Sequence, residues 1–149
     1  YLYNYSGEPW KAQPRPREVM TRFYWPTPDG YCGDEDNGQT SAWYVFSALG
    51  FYPVCPASDE YVMGAPLFKK AIIRLENGNK VVINAPGNSL ENCYIESMRF
   101  NRASYTRNFL KHDELMKGAV IDVKMSDKPN KKRGIEKEDF PYSFSTEGK

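Results

Sequence analysis

The 149 residues carry 20 Lys and Arg against 19 Asp and Glu, a net charge of +1, so neither a nucleic-acid footprint nor an acidic substrate is implied. Cys32, Cys55 and Cys93 show no C-x-x-C spacing and His112 is the one histidine, which excludes a zinc finger or a multi-histidine metal site. No apolar run approaches the ~20 residues of a membrane span, and no signal peptide is visible in this segment.

Residues 1–15 are aromatic and proline-containing, with Tyr1, Tyr3, Tyr5, Trp10, Pro9 and Pro14, and read as a loop. Trp10 and Glu8 are candidates to line a ligand site there, with loop packing as the plainer role for Trp10. A short helix is predicted over 16–25, with Pro16 in its first turn and Val19, Met20, Phe23 and Tyr24 as its buried stripe. Pro26 and Pro28 end it, and Asp29-Gly30 makes a turn.

Next comes the run Gly33-Asp-Glu-Asp-Asn-Gly-Gln-Thr-Ser-Ala-Trp-Tyr-Val-Phe-Ser-Ala-Leu-Gly. It places an acidic loop directly before a helix predicted over 38–49. Asn37 is the expected side-chain cap, and Ala42, Val45, Phe46 and Leu49 the buried stripe. Gly50 suits a left-handed helix end, and Pro53 forbids continuation. A helix N-terminus favours ionised carboxylates, which suits Asp34 and Asp36 to proton acceptance, metal binding or hydroxyl recognition. An acidic cap on a structural helix is the plain alternative. An EF-hand reading fails: with Gly38 at loop position six, Gly33 and Tyr44 fall where Asp and Glu are required.

Beyond Ser58 the grammar changes to short segments rich in Val, Ile and Tyr. Strands are predicted over 71–75, 80–84, 93–100 and 119–124, with a further one over 104–110, punctuated by Asn77-Gly78-Asn79 and Pro86-Gly87. The class is therefore α+β: two helices, a break near 56–69, and a small antiparallel β-sheet or sandwich. Residues 126–149 mix charges and are poor in apolar residues, as a disordered or draped tail would be. His112 reads as a surface residue. One disulfide or three free, buried thiols remain open for the cysteines.

The acidic run, together with Tyr3-Asn-Tyr-Ser-Gly-Glu-Pro-Trp-Lys-Ala-Gln and Ser58-Asp-Glu-Tyr-Val-Met-Gly-Ala-Pro-Leu-Phe, resembles glycoside hydrolase family 92, the Ca²⁺-dependent exo-acting α-mannosidases, mostly bacterial. The resemblance is to the C-terminal end of such an enzyme. It implies that residues 1–55 close an (α/α)6-barrel catalytic domain, that 56–125 form the β-domain and that 126–149 are a flexible tail. It implies an inverting enzyme that releases mannose, α-1,2-linked in the first instance, from α-mannosides or N-glycan-type mannan. Asp36 would then be the general base and Asp34 its partner, while Glu8, Trp10 and Gln39 would face the sugar. Asp36 would also approach Ca²⁺, directly or through water, with the general acid and most Ca²⁺ ligands upstream. The expected partners are the α-mannoside and the N-terminal remainder of the polypeptide, with self-association where that remainder is missing. The expected location is the periplasm, cell surface or exterior of a bacterium. A free-standing carbohydrate-binding or structural β-domain is the competing reading.

Overall fold

The computed structural model describes residues 1–146. The segment read as a loop is largely helical. A 3-10 turn at Leu2–Asn4 is followed by α1 (Pro9–Ala12) and α2 (Pro14–Phe23). Pro9 and Pro14 sit in the first turns of their helices, where the missing N–H leaves nothing unsatisfied, so these prolines start helices. Helix α2 thus begins two residues before the predicted start. Its buried residues are Pro16, Arg17 and Met20, whereas Phe23 from the predicted stripe is exposed.

Buried polar side chains tie this region to the rest. Asn4 Nδ2 donates to the carbonyls of Tyr1 and Met63, both at 2.9 Å. Gln13 Oε1 accepts from the Ile95 N–H at 2.9 Å. Arg17 donates to the carbonyl of Ser89 at 2.9 Å, and also to the Pro66 carbonyl and Asn88 Oδ1. A periodicity argument that counts only apolar residues assigns the wrong face to α2, because its contact with the sheet side is anchored by a guanidinium.

Helix α3 (Gln39–Leu49) runs into β1 (Phe51–Tyr52) through Gly50, at φ 98°. A Cβ there would lie 2.7 Å from the Pro66 nitrogen, so glycine is required by both conformation and close approach. Strand β1 pairs with β2 (Glu60–Met63), which pairs with Phe109–Lys111 in an antiparallel three-stranded sheet. The stretch near 56–69, expected to be a break, therefore holds a strand that joins the helices to the β half.

The second sheet has β3 (Lys70–Arg74), β4 (Lys80–Asn84), β5 (Tyr94–Phe100), β6 (Ala103–Ser104) and, after β7 (Phe109–Lys111) and the short helix α4 (His112–Met116), β8 (Ala119–Ser126). Its order is β3-β4-β8-β5-β6. All its pairs are antiparallel except β4 with β8, which is parallel, so the α+β class holds while the sheet is mixed. The strand predicted over 104–110 is split: Ala103–Ser104 belongs to this sheet and Phe109–Lys111 to the other.

Alternating strand residues form one core, with Val81, Ile83, Ile95, Met98, Ile121 and Val123 from the larger sheet meeting Phe51, Met63 and Leu110 from the smaller. The tail, expected to be disordered or draped, is draped onto this body. Arg133 is buried and donates to Asn108 Oδ1 at 3.2 Å and the Arg107 carbonyl at 3.1 Å. Asp139 Oδ1 accepts from Thr106 Oγ1 at 2.6 Å. Polar residues hold the tail down, which a reading based on apolar content misses; residues 147–149 lie outside the described residues. All three cysteines are free thiols. Cys32 is exposed and the other two half-buried, so they are not the buried set expected.

Candidate active site

The acidic loop is built on three consecutive left-handed residues, Asp36 (φ 52°), Asn37 (φ 57°) and Gly38 (φ 91°). Asp, Asn and Gly are the residues that tolerate this region best. Gly38, with no side chain to offer, occupies the N-cap of α3, and Asn37 does not cap it. Its left-handed backbone has turned it away from the position a capping side chain needs.

The capping comes from further back. Glu35 Oε1 accepts from the Ser41 N–H at 3.1 Å, the third helical position, where a cap acceptor is effective. The backbone carbonyls of the loop are tied to the same turn in sequence. That of Asp34 accepts from Thr40 Oγ1 at 2.9 Å, that of Glu35 from the Thr40 N–H at 3.1 Å, and that of Asp36 from the Gln39 N–H at 3.2 Å. Asp34 and Asp36 are exposed, and among the described residues neither carboxylate has a hydrogen-bond or ion-pair partner. The loop therefore presents two carboxylates, two residues apart, from a fixed backbone.

Helix α3 does not use its predicted stripe. Ala42 and Val45 are exposed, Phe46 and Leu49 are half-buried against the core, and the buried residues are Thr40, Ser47 and Ala48. Small residues let the helix approach the N-terminal segment closely, where Tyr1 donates to Ser47 Oγ at 2.8 Å. Aromatic rings cover the start of the helix: Tyr24 stacks on Trp43 at 5.7 Å and meets Tyr44 at 5.0 Å and Tyr31 at 5.9 Å. Tyr24, Trp25, Tyr31, Ser41 and Tyr44 line a cavity of about 490 Å³ beside the loop. Burial first, then the neighbouring Cys32 and Glu35, push the Tyr24 phenol above its usual range. A Cβ on Gly30 would lie 1.9 Å from the Trp25 carbonyl oxygen, so the turn carrying this wall accepts only glycine.

The other candidates are placed less tightly together. Gln39 donates from Nε2 to the Tyr52 hydroxyl at 3.3 Å, and the Tyr1 ring lies 5.7 Å from that of Tyr52. The helix start and the N-terminal segment thus converge on Tyr52. Glu8 precedes α1 and is paired with Lys11 at 2.7 Å, and Trp10 is half-buried on α1. No hydrogen bond, ion pair or ring contact joins either to the acidic loop among the described residues. His112 is exposed, and its Nδ1 lies 2.9 Å from the Tyr61 hydroxyl. Sequence reasoning missed Glu35 and the Tyr24–Tyr31–Ser41 wall. Glu35 lies six residues before the N–H it caps, outside the spacing of a capping box, so no local pattern marks it.

Among the described residues no group of three or more His, Cys, Asp or Glu could hold a metal ion. Calcium takes six to eight oxygens, more than the exposed carboxylates of Asp34 and Asp36 supply. These residues do not form a Ca²⁺ cage on their own. No helix among them is long and apolar enough to cross a membrane.

Residues 1–127, which include the acidic loop and both sheets, match the model of the glycosyl hydrolase family 92 catalytic domain. The chain belongs to this family. The match runs through helical and β halves alike. Among solved structures, a family 92 α-mannosidase from Bacteroides thetaiotaomicron is similar at 40% identity and a TM-score of 0.92, covering 97% of this chain and 19% of that one. A family 92 inverting mannosidase from the same organism is similar at 52% identity and a TM-score of 0.91, covering 97% and 20%. An uncharacterized secreted glycosidase of Arthroderma benhamiae is 27% identical over 147 residues, 97% of this chain and 19% of the relative. The chain thus spans about a fifth of the length of these relatives.

Proposed function

We propose that this family 92 chain is the C-terminal part of an inverting exo-α-mannosidase and supplies its general base, Asp36, with Asp34 as close partner. The observation that carries the reading is the acidic loop, two carboxylates without a partner among the described residues and held on a backbone pinned at three consecutive carbonyls. Inversion is supported by the similar structure described as an inverting mannosidase. In such an enzyme one carboxylate takes the proton of a water that attacks the anomeric carbon, while a carboxylic acid roughly 6.5–9.5 Å away protonates the departing oxygen. Asp36 takes the proton, Asp34 orients the water, and the acid lies outside this chain.

The substrate is a terminal α-linked mannose, α-1,2 in the first instance, on mannan of the N-glycan type. Gln39, Trp10 and Glu8 face it when the remainder of the enzyme brings α1 and the loop to one cleft. The Ca²⁺ expected of the family takes its ligands mainly outside this chain; Asp36 alone here approaches it, directly or through water. The location is extracytoplasmic, in the periplasm, at the cell surface or secreted from a bacterium, in keeping with the fungal relative described as secreted.

Asp36→Asn in the longer enzyme tests the base. Asparagine tolerates the left-handed backbone, so the loop is kept and only proton acceptance is lost. General-base removal predicts a fall in kcat of about 10²-fold or more, with KM nearly unchanged. If Asp36 were only an acidic cap, the change would cost about 0.3–1 kcal/mol of stability and leave kcat within a small factor.

A further inference from the structure

We infer that Glu35 is a positioning residue for this site, holding the loop so that Asp34 and Asp36 face the substrate. The inference rests on the reading of Asp36 as base. Three carboxylates stand in a row, and the structure turns them alternately: Asp34 and Asp36 are exposed, and Glu35 between them is drawn inward. Its Oε1 accepts from the Ser41 N–H at 3.1 Å. That bond crosses the left-handed turn at 36–38 and closes the loop into a ring, with Glu35 at one end and α3 at the other. Its own carbonyl accepts from the Thr40 N–H at 3.1 Å, so both its backbone and its side chain are fastened to the same helical turn.

The second carboxylate oxygen of Glu35, Oε2, is buried and has no hydrogen-bond partner. A buried acceptor left unpartnered costs stability, and Gly38 at the N-cap, held at φ 91°, has no side chain that could cap the helix in place of Glu35. A residue that caps from six positions upstream, at that cost, does something a local cap would not: it fixes the segment in between. The segment in between is the one that carries Asp36.

The test compares Glu35→Ala, Glu35→Asp and Glu35→Gln with Asp36→Asn in the longer enzyme, measuring kcat, KM and melting temperature. Gln retains a carbonyl oxygen for the Ser41 N–H, Ala has none, and Asp is one methylene too short. A shift of about 1 Å in a reacting group costs on the order of 10²-fold, so kcat falls by about 10²-fold in Glu35→Ala and about 10-fold in Glu35→Asp, while Glu35→Gln stays within about 3-fold of wild type. KM is unchanged in all three, and the rates are read well below each melting temperature. A merely structural cap would lower the melting temperature and leave kcat alone. Wild-type turnover in Glu35→Ala or Glu35→Asp overturns the inference. A Gln variant as slow as the Ala variant also overturns it, because the charge and not the hydrogen bond would then matter. Should Glu35→Ala fail to fold, Glu35→Asp against Glu35→Gln decides. Full turnover in Asp36→Asn removes the reading of the base itself, which the Glu35 series alone would not do.

Discussion

In the β half, Val81 and Ile95 are 1% exposed and Ile121 is 2% exposed, each enclosed by strands from within the chain. In the helical half, Trp25 is 61% exposed, Val45 56% and Phe23 44%, around the same aromatic wall that borders the acidic loop. The β half encloses a core, with Leu90 at 91%, Phe68 at 50% and Ile72 at 49% exposed outside it. The helical half presents large apolar side chains of the kind that soluble proteins cover with further structure. The candidate chemistry sits on the half whose core is left open, in keeping with a chain that spans about a fifth of its family 92 relatives. What holds the acidic loop is therefore local: hydrogen bonds to one helical turn, where the β half relies on packing.

Substitutions that sharpen this contrast differ in size. Truncating Ile121 to Ala removes part of the shared core of both sheets and should cost about 2–5 kcal/mol in urea denaturation of this chain. A loss under about 1 kcal/mol, typical of surface changes, would mean that the β half is not the stabilising unit.

A smaller effect is set by three half-buried phenols. Burial pushes Tyr1, Tyr5 and Tyr105 up to about 12. Between pH 10 and 12 the unfolded chain has released these protons and the folded chain has not, so folding is favoured below that window and weakens as pH rises through it. Chain stability should fall across this window, and Tyr105→Phe, which removes a hydroxyl that donates to the Phe109 carbonyl at 2.8 Å, should make the fall shallower. An unchanged slope in Tyr105→Phe would contradict that assignment.

The smallest change is expected on the open face. Val45→Ser should alter stability by less than about 0.5 kcal/mol and reduce self-association of this chain in sedimentation velocity. A loss comparable to that of Ile121→Ala would place Val45 in a closed core and erase the contrast between the halves.

Much of this was legible in the residues. The strands predicted over 80–84 and 119–124 announce themselves by their Val and Ile content, and Gly50 by its place after Leu49. The Asp34–Asp36 loop was legible from its motif. What was not legible depends on polar atoms acting at long range. Arg17 and Gln13 anchor α2 to residues about 70–80 positions away, Arg133 and Asp139 pin the tail, and Glu35 caps across a turn. Periodicity counts apolar residues and so assigns none of these. Pro9 and Pro14 were read as loop markers because a helix start and a helix stop use the same residue, and only the flanking backbone tells them apart.

The central claim, that Asp36 removes the proton of the attacking water, is tested most directly by giving the base-less enzyme a nucleophile that has no proton to lose. In the Asp36→Asn form of the longer enzyme, azide added to an aryl α-mannoside should restore turnover and yield β-mannosyl azide, because the anion attacks from the water's side without a base. No recovery with azide, or α-mannosyl azide as the product, would contradict the assignment of Asp36 as the base of an inverting mannosidase.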